Sequence, residues 1–511
     1  MSNASALFRS LVIYALCLPL AVVLGYLLAN PLDLTTFTVV GIILLTLAIP
    51  ALLRWHHAWL IATWNMSAVI FFLPGRPAIW TGMAAISFVI GVLQYAIDRK
   101  IKFLHVPSVM RPLLFLTLVV LITMRLTGGI GLRSFGSGTY GGKNYVIFFA
   151  AVVGYFALIS RPIPPKRAGL YVLLFFFGTS TIAIGDLAAV LPQTAQLAFM
   201  VFPLLTGGAE TLQGLASSGP ARFTGLAYAG VGIFGVMLAR YGIRGIFLDP
   251  SKGWRAMLFI GVVFITLLGG FRSVLIYCAL TFAVLFYLEG LHQTRLLPVA
   301  ILMTLLGGTL VGAFANKMPF AMQRSMAFLP LDIDPAARLS AQVTTEWRLQ
   351  IWRNVLPQVP QYLILGKGYG FSARDLAMIQ DTRRSDKEGT ELVGDYHNGP
   401  LSVLIPFGLF GMLGFLWFLW AGLQVTYHNF RFGDPAYRQA NTFILALFIA
   451  KTLFFFTIFG AFVQDMVMFC GLLGLNISLN GGVAKPAIAP QPKVVFNRLK
   501  LHPQARKPVG I

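Results

Sequence analysis

Residues 296–315 have the sequence LLPVAILMTLLGGTLVGAFA, twenty consecutive residues without a charged side chain. A helix that crosses the hydrocarbon core of a bilayer needs about 20 such residues, because all of its backbone polar groups must be hydrogen-bonded within the segment. We therefore predict that this stretch spans a membrane as an α-helix, and that the bilayer sets the fold of the chain.

The rest of the chain has the same character. Of its 511 residues, 57% are hydrophobic and 11% are charged. Apolar runs of this kind predict an all-α polytopic membrane protein with about fourteen transmembrane helices. The predicted spans are 7–29, 33–53, 58–73, 78–97, 112–129, 144–160, 168–190, 224–240, 256–270, 273–289, 296–315, 399–425, 439–460 and 463–480. The run 196–205 is too short to cross, so we expect an interfacial or re-entrant piece there.

The charge balance fits a membrane protein better than a nucleic-acid binder. Lys and Arg number 39 against 17 Asp and Glu, a formal net charge of +22. A soluble nucleic-acid binder carries such charge on folded soluble surfaces, which this composition excludes, together with soluble multidomain enzymes. Instead, the positive-inside rule assigns the basic connections 98–111, 161–167 and 240–255 to the cytoplasmic side. Fourteen spans then place both termini in the cytoplasm, and the basic tail 481–511 faces anionic inner-leaflet lipid.

The three cysteines give no sign of a disulfide framework or of a metal site. Cys17, Cys278 and Cys470 all lie in apolar runs without paired spacing. No metal-binding motif occurs in the predicted external segments, so we expect neither a metal nor a cofactor.

One long external loop, residues 316–397, interrupts an otherwise short-looped chain. It holds nine of the seventeen acidic residues. Long loops of this kind often carry function, although a solvated insertion is the simpler alternative. Within it, Asp334 and Pro335 predict the start of a helix. An apolar residue recurs at every fourth position and predicts a buried stripe formed by Leu339, Val343, Trp347 and Ile351.

His397 is the strongest candidate for a general base. It lies where the acidic loop meets an apolar span, so its imidazole can be partly desolvated and still reach a soluble substrate. Asp395 and Asn398 flank it and could orient the ring. The alternative is an interfacial histidine that only caps the next helix.

Four arginines near the external boundary are candidates for binding a diphosphate. Arg222 opens a span, and Arg272 lies in a tight turn (Gly269–Ser273) between two spans, while Arg348 and Arg353 lie on the predicted loop helix. Guanidinium groups remain charged and donate paired hydrogen bonds to phosphate oxygens. The alternatives are snorkelling to the interface for the first two and a solvated helix face for the last two.

Two further features have alternative interpretations. The glycine-rich turn (Gly366–Gly370) could bend its backbone amides around a phosphate, with Lys367 and Gly368 in contact with it, or could be a structural turn only. Lys451, in the middle of a predicted span, could pair with Asp465 or face a cavity.

Together these motifs resemble the O-antigen ligase and polymerase superfamily of bacterial inner-membrane glycosyltransferases, which use undecaprenyl-diphosphate-linked glycans. The resemblance covers residues 222–411, and its most specific element is the order of the motifs, with the long loop between the tight turn and the histidine. The motifs that carry the resemblance are Arg222–Gly225, Gly269–Ser273, Arg348–Trp352, Gly366–Gly370 and His397–Asn398 followed by Gly408 and Gly411. Two positions depart from the family pattern: Phe271 replaces a frequent Ser, and Lys367 replaces a usually uncharged residue.

The resemblance implies a GT-C-like membrane fold and an inverting, metal-independent transfer without a cofactor. The donor would dock near Arg222, Arg272 and Arg348, with Arg353, Lys367, Gly368 and Asn398 as further substrate-binding residues. His397 would accept the proton of the acceptor hydroxyl. The acceptor is lipid A core in a ligase and a second lipid-linked glycan in a polymerase, and protein O-glycosylating members add a third type.

Under this interpretation the chain divides into N-terminal transmembrane helices (1–222), a ligase/polymerase-like core with the periplasmic loop (223–480) and a basic cytoplasmic tail (481–511). A transporter or lipid flippase is the main alternative from another class. It predicts ionisable groups along the middles of several spans, where Lys451 is nearly alone. A scaffold with a degenerate site is a third alternative.

Overall fold

The computed structural model describes residues 34–71, 73–98, 103–132, 139–191, 198–203, 222–372 and 396–486, with single positions between 14 and 25 and at 137 and 394. In these ranges the chain is predominantly helical, with one antiparallel pair of two-residue strands, β1 (Thr139–Tyr140) and β2 (Phe371–Ser372). The helices are α1 (Leu34–Thr63), α2 (Ile79–Ile97), α3 (Pro107–Thr127), α4 (Gly142–Leu158), α5 (Ala168–Phe177), α6 (Ala183–Val190), α7 (Ala198–Val201), α8 (Thr224–Phe247), α9 (Trp254–Leu267), α10 (Arg272–Leu288), α11 (Leu296–Phe314), α12 (Phe320–Ser325), α13 (Pro335–Val355), α14 (Val359–Tyr362), α15 (Gly399–Phe432), α16 (Arg438–Thr457) and α17 (Phe462–Asn480).

Eight helical segments among the described residues are long and apolar enough to cross a membrane. They are Ile79–Ile97, Pro107–Thr127, Pro165–Ala188, Thr224–Phe247, Leu296–Lys317, Gly399–Phe432, Pro435–Thr457 and Phe462–Asn480. Three shorter apolar helices, α4, α9 and α10, accompany them. The chain is therefore an all-α polytopic membrane protein, as predicted.

The predicted number of fourteen spans is not supported. The runs 33–53 and 58–73 are covered by the single helix α1 and by a non-helical segment that follows it. A charged residue and two histidines between these runs predict a break in the helix. In the structure Nδ1 of His56 lies 2.7 Å from the hydroxyl of Ser87 and the ring is buried. The helix therefore continues through these polar residues. Eleven other predicted spans fall on helices, while the run 7–29 lies largely outside the described residues.

The predicted placement of the N-terminus depended on whether the number of membrane crossings is odd or even. Because the single helix α1 replaces two predicted crossings, that number changes. That placement, and the cytoplasmic assignment of both termini, therefore stay predictions that rest on the Lys and Arg residues of the later connections. The run 196–205 contains only the four-residue helix α7 in its described part, which is too short to cross.

The C-terminal helix α17 lies at the centre of the bundle. In its most apolar 18-residue stretch 83% of the residues are buried, whereas none is buried in the corresponding stretch of Leu296–Lys317. At one end of α17, asparagines from three helices bond to one another: Asn429 donates to Asn476 at 2.7 Å, and Asn441 donates to Asn480 at 2.9 Å. Amide pairs of this kind hold transmembrane helices together where lipid provides no hydrophobic driving force.

A kink in α15 ties this helix to the long loop 316–397. Gly408 has φ +63°, and Pro406 lies just before it inside the helix. The kink frees two carbonyls from the helical pattern, and these accept hydrogen bonds from the loop. The amide of Lys367 donates to Ile405 and the amide of Gly368 donates to Pro406, each at 2.9 Å. The glycine-rich turn is thereby fixed against the membrane core.

The loop helix α13 begins as predicted, but only the second half of the predicted stripe is packed: Ile351 is buried, and Trp347 packs against the same cluster. Asp334 accepts a hydrogen bond from the amide of Ala336 at 2.7 Å and caps the helix. Leu339 and Val343, predicted to be buried, are 61% and 56% exposed. The buried positions are Ala337, Ala341, Ile351 and Val355. Small alanine side chains allow the first half of α13 to approach the membrane-edge turns closely, which larger residues would prevent.

Candidate active site

In the tight turn between α9 and α10, two consecutive backbone carbonyls each accept a hydrogen bond from an arginine side chain. The Nε of Arg222 donates to Gly269 at 3.1 Å, and Nη1 of Arg324 donates to Gly270 at 2.9 Å. Gly270 has φ +69°, a conformation that glycine adopts without strain. The guanidinium of Arg222 also lies 4.7 Å from the centroid of the Phe271 ring. Phe271, a departure from the family pattern, therefore forms a cation–π contact with a predicted site residue.

Helix α13 binds Arg324 through two side chains one turn apart. The Nε of Arg324 donates to the hydroxyl of Ser340 at 3.0 Å, and Nη2 donates to the hydroxyl of Thr344 at 2.9 Å. Together with its bond to the tight turn, these contacts make Arg324 a bridge between the membrane core and the external loop. Arg324 was not among the predicted site residues.

Arg272 contacts the same helix one residue further along. Its Nη2 donates to the carbonyl of Ala341 at 2.8 Å and to the hydroxyl of Thr345 at 2.9 Å. Arg348 follows Thr345 by three residues, about 4.5 Å along the helix axis. The structure therefore brings Arg222, Arg272 and Arg348 to one region, as predicted, and adds Arg324. These four residues are called the arginine row below.

His397 lies at the end of the arginine row. Its ring meets the ring of Trp347 edge to face, with centroids 4.9 Å apart, and that of Phe459, with centroids 5.3 Å apart. The guanidinium of Arg348 lies 5.7 Å from the same Phe459 ring. Arg348 and His397 thus share one aromatic neighbour, and the adjacent Trp347 brings α13 against the imidazole.

The backbone around His397 is tightly constrained. His397 has φ +50°, in the left-handed region that most side chains avoid. The carbonyl of Tyr396, a residue only 1% exposed, accepts a hydrogen bond from the indole of Trp352 at 2.9 Å. Asn398 caps α15, because its Oδ1 accepts from the amide of Leu401 at 3.1 Å. Asn398 therefore has a structural role as the helix cap. The capping that was considered for His397 is performed by Asn398 instead.

Close glycine packing fixes α15 against the turn between α16 and α17. A Cβ on Gly399 would lie 2.1 Å from the carbonyl oxygen of Phe455, and one on Gly460 would lie 2.5 Å from the Cα of Gly399. Phe459 is part of this turn, so the packing holds its aromatic ring beside His397.

Near this turn, Lys451 forms an ion pair with Asp465. This was one of the two alternatives predicted for Lys451. The Nζ and Oδ1 atoms are 2.6 Å apart, and both side chains are largely buried. The other carboxylate oxygen of Asp465 accepts from the amide of Ala461 at 2.8 Å. The pair therefore supports the turn that contains Phe459.

The glycine-rich turn uses its amides within the chain. Those of Lys367 and Gly368 donate to the kink in α15, that of Gly366 to a carbonyl one turn earlier, and that of Tyr369 to the hydroxyl of Tyr145 at 2.9 Å. Four amides are thus engaged within the chain, which favours the alternative of a structural turn over a phosphate cradle of backbone amides. A substrate contact through the Lys367 side chain stays a prediction, whereas Gly368 has no side chain to offer one.

The remaining predicted residues are less informative. Arg353 is exposed on α13, two turns beyond Thr345. Asp395 lies outside the described residues. Arg324 was missed because its segment shows no apolar periodicity, although it meets the criterion that selected Arg222, an arginine near the external end of a span.

The comparison with protein families agrees with the motifs. Residues 253–416 match the family model described as O-antigen ligase. The matched segment begins just before α9 and ends within α15, so it contains Arg272, Arg324, Arg348 and His397 but not Arg222. No curated protein matches the chain. The match confirms the resemblance to the O-antigen ligase and polymerase superfamily.

Proposed function

We propose that this chain, an O-antigen ligase-family protein, is a glycosyltransferase that moves a glycan from an undecaprenyl-diphosphate donor to a sugar hydroxyl on the external side of the bacterial inner membrane. The observation that supports the proposal most is the arrangement of Arg324, Arg272 and Arg348 along α13, with Arg222 on the adjoining tight turn and His397 at the end of the row. Cationic groups at a membrane edge suit the diphosphate of a lipid-linked sugar, whose lipid remains in the bilayer.

The arginine row would bind the diphosphate. Arg272 and Arg324 are held by α13 and by the tight turn, so their guanidinium groups are ordered before substrate arrives. Arg348 continues the row towards His397. Preorganised donors of this kind stabilise charge that develops on a leaving group, and removing one commonly costs about 3 to 4 kcal/mol of transition-state stabilisation.

His397 would act as the general base. The acceptor hydroxyl oxygen forms a bond to the anomeric carbon while the bond from that carbon to the diphosphate oxygen breaks. The hydroxyl proton passes to the imidazole, and the electron pair of the broken bond leaves with the diphosphate. One displacement of this type inverts the anomeric configuration. A positioned base contributes about 100- to 10,000-fold to the rate.

The proposal is tested by reconstituting the full chain in lipid nanodiscs with a synthetic undecaprenyl-diphosphate glycan. Two acceptors are supplied in parallel, lipid A core and a second lipid-linked glycan, and products are identified by mass spectrometry. We expect a new glycosidic bond with at least one acceptor. Product on lipid A core identifies a ligase, and lengthened lipid-linked glycan identifies a polymerase.

Substitutions assign the site within the same assay. His397→Asn and Arg272→Ala should lose transfer, whereas Lys143→Gln, which removes a cation near the start of α4, should retain it. The proposal fails if no acceptor is glycosylated while the protein moves labelled donor across liposomes, because that result identifies a transporter or flippase.

A further inference from the structure

A cavity of about 470 Å³ opens at the end of the bundle opposite to the arginine row. Helix α8 connects the two regions. It begins at Thr224, two residues after Arg222, and reaches the cavity at Arg240, about 24 Å further along the helix axis. The cavity is therefore separate from the proposed active site, and the proposed glycosyl transfer does not use it.

The cavity combines an apolar wall with a polar mouth. Val172, Leu173 and Val236 belong to the wall, and Arg240 and Gln439 to the mouth. None of the lining residues is acidic. Gly242 has φ +63° and ends the straight part of α8 just after Arg240.

Several cations surround the mouth. The guanidinium of Arg240 lies over the Tyr241 ring at 5.6 Å and forms no ion pair with any described residue. Lys166 and Arg167 stand between the lining residues Pro165 and Ala168, and Arg438 stands next to the lining residue Gln439. These three side chains likewise have no ion pair within the described part of the chain. The mouth thus has an excess of positive charge.

Three carboxylates lie near the mouth, and each is engaged by other groups of the chain. Glu289 accepts from the amides of Ile243 and Arg244 at 3.0 and 3.2 Å, and its Oε1 also accepts from Nε2 of the lining residue Gln439 at 3.4 Å. Asp249 pairs with Arg255 at 3.5 Å, and Asp434 accepts from the amide of the lining residue Ala436 at 2.8 Å. The four cations near the mouth outnumber the two carboxylates that contact its lining, so positive charge is left for an anion from outside the chain.

The apolar wall indicates that this anion is attached to a lipid. Leu173 lies on α5, where Gly169 lines the cavity and the adjacent Leu170 is 51% exposed on a helix that spans the membrane. The wall is thus continuous with the lipid-facing surface. A free anion would gain nothing from the three aliphatic side chains, whereas the first methylenes of an acyl chain would.

We propose that this cavity binds an anionic phospholipid, with its phosphate at Arg240 and the start of an acyl chain against Val172, Leu173 and Val236. Basic pockets between transmembrane helices are known to recognise such head groups. Under the positive-inside assignment this end faces the cytoplasm, where the anionic lipids of the inner leaflet are available.

Native mass spectrometry of the detergent-purified full chain tests the proposal. Phosphatidylglycerol and phosphatidylcholine with identical acyl chains are titrated separately, and the fraction of lipid-bound protein is measured. We expect saturable binding of phosphatidylglycerol at a lower concentration than phosphatidylcholine. Arg240→Gln should weaken phosphatidylglycerol binding about fivefold, as expected for one cation near a phosphate.

Two further variants separate charge from shape. Lys252→Gln removes a cation from the same end of the bundle but from a residue that does not line the cavity, so it should leave binding unchanged. Gly169→Trp adds bulk where a Cβ meets no atom within 4 Å, so it should reduce lipid binding without removing charge.

Three results would overturn the proposal. Equal binding of both lipids would identify general detergent-like association. Equal effects of Arg240→Gln and Lys252→Gln would show that only the overall charge matters. Displacement of the lipid by millimolar inorganic phosphate would identify a site for a free anion instead.

Discussion

The imidazole of His397 owes its position to an unusual backbone conformation. With φ +50°, the residue turns the chain from the loop into α15 and places its ring between Trp347 and Phe459. Asparagine tolerates this conformation comparatively well and carries no base, whereas alanine tolerates it poorly. Asparagine is therefore the substitution that removes the chemistry with the least change in the backbone.

We expect His397→Asn to reduce kcat of the reconstituted protein about 100- to 10,000-fold, because the general base is lost while the turn is retained. Single-turnover kinetics with a synthetic donor measure this effect, and thermal unfolding in detergent checks that the variant is folded. His397→Gly, which relieves the backbone, should be equally inactive. Substantial activity in a folded His397→Asn protein would show that another group accepts the proton.

Arg272 differs from a generic cation in the way it is held. Its Nη2 donates both to the Ala341 carbonyl and to the Thr345 hydroxyl, so the other guanidinium nitrogens can face a diphosphate, whereas the single nitrogen of lysine would be engaged by these two acceptors. We expect Arg272→Lys to lower kcat about 100- to 1,000-fold despite the retained charge. Thr345→Val removes one neutral acceptor and should cost only about tenfold.

The comparison of these two variants is decisive. If Arg272→Lys were as active as Thr345→Val, charge alone would suffice and the ordered guanidinium would not matter. If both changed KM and left kcat unaltered, Arg272 would bind the donor equally in the ground state and the transition state.

At the scale of elements, the kink in α15 connects membrane core and loop. A Cβ on Gly408 would lie 2.5 Å from the carbonyl oxygen of Ile364, and the residue has φ +63°. We expect Gly408→Ala to lower the free energy of unfolding by about 1 to 3 kcal/mol, from backbone strain and overpacking. Thermal unfolding in a mild detergent measures the change.

Gly261 provides the matched control for that substitution. It lies inside α9, where a Cβ would meet no atom within 4 Å. Gly261→Ala should therefore be neutral or slightly stabilising, since alanine favours helix. Equal melting temperatures for the two alanine variants would show that α15 can straighten without loss.

The elements themselves were predicted with unequal success. Long uncharged runs such as α11 are identified by hydropathy alone, because bilayer thickness fixes their length. The single helix α1 was missed because hydropathy treats His56 as a polar break, whereas its hydrogen bond to Ser87 satisfies the ring inside the bundle. On α13 the apolar stripe correctly included Ile351, but the buried Ala337 and Ala341 were missed because alanine has little hydropathy signal and contributes by allowing close approach.

At the scale of the whole molecule, the buried pair of Lys451 and Asp465 joins the central helices α16 and α17. Removing one partner leaves a charge in a low-dielectric interior, which commonly costs about 3 to 5 kcal/mol. We expect Lys451→Met to lower the free energy of unfolding by that amount. The double variant Lys451→Met/Asp465→Asn should recover most of the loss, because the asparagine oxygen still accepts from Ala461.

Expression level and thermal unfolding of the three proteins measure this coupling. A single variant as stable as the unaltered protein would mean that water reaches the remaining charge. The double variant also reports on the site, because the turn that it supports holds Phe459 beside His397.

The candidate site was predictable to the extent that its residues lie at membrane edges. Arg272 and His397 stand at boundaries that hydropathy defines, and the resemblance to the O-antigen ligase and polymerase superfamily implied that they share one site. The contacts that complete the row come from tertiary structure. Arg324 meets the tight turn 54 residues earlier in the chain and only because α12 folds beneath α13, and no local pattern encodes that contact. The sequence likewise left two alternatives open for the glycine-rich turn, since the acceptors of its amides in α15 are distant in sequence.

The isolation of α11 has a mechanical consequence. No residue of this helix is buried by the described part of the chain, so within that part its height and tilt are fixed only through its two ends. Its outer end leads through a short turn into α12, which carries Arg324. Hydrophobic mismatch between α11 and its bilayer would therefore be transmitted directly to one of the guanidinium groups. Turnover in vesicles should accordingly depend on acyl-chain length, with an optimum where membrane thickness matches this one helix.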